Sequence, residues 1–62
     1  MLTRTELRMA GLFLRHAETS VRWVATMFYA DGNTGAAARL NAVAVQLSDA
    51  LRDIDALLKA LP

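Results

Sequence analysis

The chain contains no cysteine, which removes disulfides and thiolate metal ligands and leaves the redox compartment undetermined. Its single histidine, His16, cannot anchor a His-based metal site unaided. The scattered carboxylates also lack the paired Glu and Glu-x-x-His spacing of metal-bearing helical bundles. No stretch approaches the ~18–20 apolar residues that a membrane-spanning helix requires; the longest candidate, Val21 to Ala30, is short and contains Arg22. The amino-terminal apolar run is broken by Arg4, Glu6, Arg8 and Arg15 with no convincing cleavage region, so no signal peptide is expected. A cytoplasmic protein with no membrane partner is the expectation.

The residues of a catalytic site are missing too. Ser20 and Ser48 have no second histidine, no glycine-rich elbow and no strand to stand on. Gly32 and Gly35 belong to a turn with no lysine after it, so no phosphate-cradling loop exists. Asp49 and Asp53 lie one helical turn apart, but beside Arg52 and Lys59 on a polar face they read as solvated rather than as an acid–base pair. No catalytic residue, metal or cofactor is expected, and the chain is read as a non-enzyme.

What the chain has is apolar surface. It is 62 residues long, 55% hydrophobic and carries a net charge of +1. A domain this small buries a modest fraction of its surface, and natural examples add disulfides, a metal or oligomerisation. With the first two removed, self-association or a partner chain remains. The charge is too small to argue for nucleic acid by itself, although its basic excess sits in the first half, on Arg4, Arg8, Arg15 and Arg22 against Glu6 and Glu18.

Residues 7–28 carry an unbroken seam at alternating steps of three and four: Leu7, Ala10, Leu14, Ala17, Val21, Val24 and Phe28. A second series, Leu2, Met9, Phe13, His16, Ser20, Trp23, Met27 and Ala30, runs beside it. Together they span roughly 200° of a helix surface, against the ~100° that a surface helix usually buries. Only a narrow strip of Thr5, Arg8, Arg15, Thr19, Arg22 and Thr26 is left for water.

These patterns predict one all-α domain, an antiparallel helical hairpin with helix 1 over about 4–30, a turn at about 31–34 and helix 2 over about 35–61. Thr3 and Glu6 form a capping box, and Leu2 and Leu7 occupy the positions of a hydrophobic staple. Gly11 weakens the helix interior by up to ~1 kcal/mol, and close helix approach is one reason for it. Gly32 can close helix 1 in the left-handed region, and Asn33 or Thr34 can cap helix 2. Glu18–Arg22 and Asp55–Lys59 are i,i+4 pairs of favourable orientation. The helix 2 seam reads as Ala36, Leu40, Val43, Leu47, Ala50, Ile54, Leu57 and Leu61, flanked by Ala37, Ala44, Leu51 and Leu58.

Helix 2 has one apolar face of ordinary width, and helix 1 has more than it can cover. The expectation is self-association through helix 1 into a four-helix or larger bundle, a homodimer first, since two-fold dimers are the commonest closed assembly. The interface residues would be Leu7, Met9, Phe13, Leu14, Val21, Trp23, Val24, Met27 and Phe28. The function that follows is a small non-catalytic interaction module, an accessory, regulatory or inhibitor protein that engages itself and another protein. Two alternatives stay open. Arg8, Arg15 and Arg22, with Tyr29 continuing the row, could form an anion track for nucleic acid or a nucleotide. His16 and Trp23, one heptad apart, could hold a flat ligand between subunits with Phe13.

A hairpin of this length with its turn at the midpoint resembles the Rop (repressor of primer) family, small plasmid proteins that dimerise as four-helix bundles and bind paired RNA loops. In that family first-helix polar residues around a phenylalanine touch the RNA, and Met9-Ala10-Gly11-Leu12-Phe13-Leu14-Arg15 is a loosely similar run. Here Phe13 lies in a broad apolar face with Leu12 and Leu14 beside it, so the resemblance implies the architecture and its RNA-binding activity is not carried over.

Overall fold

The computed structural model describes residues 3–62. It consists of two helices, α1 (Arg4–Ala30) and α2 (Thr34–Ala60), packed against each other. Both ends of α1 follow from local chemistry. The Thr3 Oγ1 accepts from the Glu6 N–H at 3.1 Å while Glu6 Oε1 accepts from the Thr3 N–H at 3.3 Å, which satisfies two of the orphan donors of the first turn. The staple through Leu2 lies outside the described residues.

At the other end, Gly32 at φ +86° reverses the chain. Its N–H donates to the Tyr29 carbonyl at 3.0 Å, and that of Asn33 donates to Phe28 at 2.8 Å. This is the double bond pattern that retires the last carbonyls of a helix. Asn33 then caps α2 by accepting from the Ala36 N–H at 3.1 Å. Of the two caps the sequence allowed, Asn33 serves, and Thr34 is already helical. A connection of three residues leaves the helices no option but to lie antiparallel.

Arg4 closes the far end, a role its sequence position does not suggest. Its guanidinium donates to the carbonyls of Leu58 at 3.2 Å, Leu61 at 3.0 Å and Pro62 at 3.2 Å. A cation in the first turn of its own helix opposes the helix dipole, yet here it sits at the negative end of α2, where it is favourable. Arg4→Ala is expected to destabilise by about 1–2 kcal/mol, the worth of charge-assisted hydrogen bonds of which those to Leu58 and Leu61 are part-buried, read from a denaturant titration followed by circular dichroism.

Gly11 faces Ile54, as its position beside the seam suggests, but close approach does not require it. A methyl group there would meet Ile54 Cγ2 at 3.6 Å, an ordinary contact. Gly11→Ala is therefore expected to stabilise by about 0.5–1 kcal/mol through helix propensity, measured in the same titration.

Where α2 meets α1, the sequence reading needs correction. The buried residues are Ala25 on α1 and Ala37 and Ala44 on α2, so the two alanines placed on the flank of α2 occupy its centre. Val43 and Leu57, placed in the seam, are exposed at 41% and 54%. The reason is geometric: small alanines let the two helices approach, and α2 turns that stripe toward α1, which keeps Leu40, Leu47 and Ile54 half-buried beside it and leaves Val43 and Leu57 pointing to one side. The Glu18–Arg22 pair forms at 3.0 Å. The Asp55–Lys59 pair is not among the ion pairs of the described residues, where Arg52 and Asp49 meet instead at 3.5 Å.

Candidate interaction surface

Among the described residues three alanines are buried and no large side chain is, so the hairpin has almost no core of its own. The chain is a rod of 48 × 15 × 14 Å with a radius of gyration of 14.3 Å, against about 11 Å for a compact chain of this length. Its accessible surface is 4807 Å², whereas a folded monomer of this mass exposes about 4,000 Å². The excess, on the order of 800 Å², is one partner's share of a standard-size protein interface.

Five of the residues named from the sequence are among the uncovered apolar groups. Met9, Phe13, Trp23, Met27 and Phe28 are exposed, Phe13 at 69% and Trp23 at 65%. Leu7, Leu14, Val21 and Val24 are half-buried against α2. Leu12, Tyr29, Val43, Val45 and Leu57 add to the uncovered apolar area. Helix periodicity sorts these residues by side. In an antiparallel pair, the flank of α1 bearing Phe13, Ala17 and Val24 and the flank of α2 bearing Ala36, Val43, Ala50 and Leu57 emerge on the same broad side.

Two clefts support this division. One, of about 440 Å³, joins Phe28 of α1 to Ala36, Arg39 and Leu40 of α2 near the turn. The other, of about 320 Å³, joins Arg8, Gly11 and Arg15 to Leu51, Asp55 and Leu58 on the opposite side. The first cleft thus lies at the turn end of the side that carries Val43 and Leu57, and the second, on the other side, sets Arg8, Arg15 and Asp55 around an apolar floor of Leu12, Leu51, Ile54 and Leu58.

The proposed anion track is only partly available. Arg22 is held by Glu18 at 3.0 Å. Arg8 and Arg15 flank the second cleft, which also contains Asp55. Tyr29, exposed at 69%, lies a further two turns along α1. His16 is exposed. Phe13, His16 and Trp23 line neither of these clefts nor a third one bounded by Val24, Met27, Phe28 and Asp31. Among the described residues no three His, Asp or Glu side chains come together as metal ligands, and no helix is long and apolar enough to cross a membrane. No protein-family model matches the chain, and comparison with curated proteins and with solved structures found no similar protein.

Proposed function

We propose that this chain is a non-catalytic interaction module, an accessory, regulatory or inhibitor protein, that works as a homo-oligomer, a dimer, by packing its open apolar side. The observation that supports this reading is the mismatch between a core of three alanines and large apolar groups such as Phe13, Trp23, Met27, Val43 and Leu57 left in water. An apolar patch of this size on a lone small protein marks an interaction surface. A second hairpin laid on it would convert two half-cores into one four-helix core.

The test is absolute mass by light scattering on a size-exclusion column, at low and high salt. A dimer whose mass does not change with salt is the expected result, because apolar burial is insensitive to screening. A folded monomer at both salts would overturn the proposal. The alternative reading, an anion track on α1, rests on Arg8 and Arg15, which enter no ion pair among the described residues. It requires affinity for nucleic acid that falls steeply with salt and with Arg15→Ala.

A further inference from the structure

We infer that the occupant of the open side is a second copy of this chain laid antiparallel to the first, with the two turns at opposite ends of the bundle. This rests on the self-association proposed above and adds the arrangement. The outer edges of the open side carry the information. On α2 the edge is a heptad-spaced row of Arg39, Gln46 and Asp53, all exposed. Arg39 is placed on this side by the cleft it shares with Phe28 and Ala36. On α1 the edge runs Met9, Phe13, His16, Ser20, Val24 and Met27, with no acidic residue, arginine or lysine on it.

Two arrangements bring such hairpins together about a two-fold axis. With both turns at one end, each α1 lies on the partner's α2. The methionines and phenylalanine would then cover Arg39 and Asp53, which costs desolvation of charge with no counter-ion in return. With the turns at opposite ends, each helix lies on its own copy. The apolar edge of α1 then meets itself, Met9 against the partner's Met27 and Phe13 against the partner's Val24. The α2 row is self-complementary in that arrangement, since reversal about Gln46 sets Arg39 beside the partner's Asp53.

A single axis satisfies both helices. The Met9/Met27 pair is centred on residue 18, the Phe13/Val24 pair midway between residues 18 and 19, and the Arg39/Asp53 pair on residue 46. Positions 18 and 46 stand level in the hairpin, to within a residue, as Gly11 does with Ile54 and Arg4 with Leu61. Ala17 and Leu47 lie at that level. The central layer would therefore hold two alanines and two leucines, small facing large, which fills a bundle without voids. The area fits as well, since the excess surface of about 800 Å² matches what each partner of a stable dimer contributes.

The test uses the full chain with one introduced cysteine. Gly35→Cys places a label at the turn, where a Cβ has only Asn33 Oδ1 within 4.0 Å, and the native chain has no competing thiol. With the two-fold axis level with residue 46, the labelled positions lie 22 residues apart along the bundle, so electron–electron distance measurement on the spin-labelled dimer is expected to give roughly 35 Å, from 1.5 Å per residue and the spacing between packed helices. Charge reversal supplies the second readout. Arg39→Asp and Asp53→Arg are each expected to raise the dimer dissociation constant about tenfold or more, and the double variant to restore it to within a few-fold of the parent. A dimer with its labels closer than about half the hairpin length overturns the antiparallel arrangement and leaves self-association standing. Failure of the double variant to recover overturns the Arg39–Asp53 pairing that fixes the register. A folded monomer in light scattering overturns both proposals together.

Discussion

Each tenfold dilution is expected to lower the thermal midpoint of this protein by about 5 °C. The figure follows from treating the dimer as the unit that folds. Tenfold dilution changes the free energy of a dimer-to-unfolded-monomers transition by about 1.4 kcal/mol. Two chains of 62 residues, at an unfolding entropy of about 2.1 cal/mol/K per residue, give roughly 0.26 kcal/mol/K at the midpoint, and the quotient is the shift. Three decades of protein concentration would then move the melt by about 15 °C. The physical cause is the absence of a core inside one hairpin. Ala25, Ala37 and Ala44 are the residues that one copy buries by itself, and helices of this length draw their stability from tertiary packing rather than from propensity. Circular dichroism melts at three concentrations check the prediction. Superimposed curves would mean that the hairpin is stable alone and that its open side serves another protein.

The fold was legible because its punctuation is local. Thr3 and Glu6 stand three residues apart, and Gly32 and Asn33 sit in a single turn-like cluster, so helix starts and the reversal can be read from neighbouring residues. The excess apolar width of α1 was legible for the same reason, as it depends only on helical period. What could not be read is whatever depends on the rotation of α2 about its own axis. Periodicity gives two adjacent stripes on α2, and which one faces α1 is decided by how closely the backbones pack. The alanines at 37 and 44 win because they permit close approach, and this leaves Val43 and Leu57 open. Arg4 was missed for a related reason: its partners are 54 to 58 residues away, and no local pattern connects an N-terminal arginine with the carbonyls of the last turn. The candidate site divides in the same manner. The exposed residues of α1 were found from period alone, while the interruption of the arginine row by Glu18 and the contribution of α2 to the open side needed the packed hairpin.

Phe13→Asp is expected to raise the dimer dissociation constant at least a thousandfold, and at micromolar concentration to leave the chain largely unfolded. Phe13 is 69% exposed in one hairpin. If that hairpin were the whole protein, an exposed substitution of this kind would fall within about ±0.5 kcal/mol, since phenylalanine and aspartate differ little in helix propensity. In the proposed dimer the position would lie opposite Val24 of the partner subunit and would be used twice. Each copy forfeits about 1.5–3 kcal/mol of apolar burial, and each adds the cost of desolvating a carboxylate that has no cation beside it. Two losses of that size exceed the 4.1 kcal/mol that a thousandfold change requires. Trp23→Asp is expected to act in the same direction, since its indole borders this edge of α1 and is 65% exposed. Val45→Asp is the matched comparison. Val45 is apolar and as exposed as Met9 or Met27, but helix periodicity places it on the outward side of α2, away from the open seam, so its substitution should leave both mass and melting unchanged. Equal damage from Val45→Asp and Phe13→Asp would show that the protein tolerates no surface carboxylate and would remove the argument for a defined interface. Damage confined to Phe13 and Trp23 would locate the interface on the side where the two half-cores lie open, because the substitutions differ in which way the side chain points and hardly at all in chemistry.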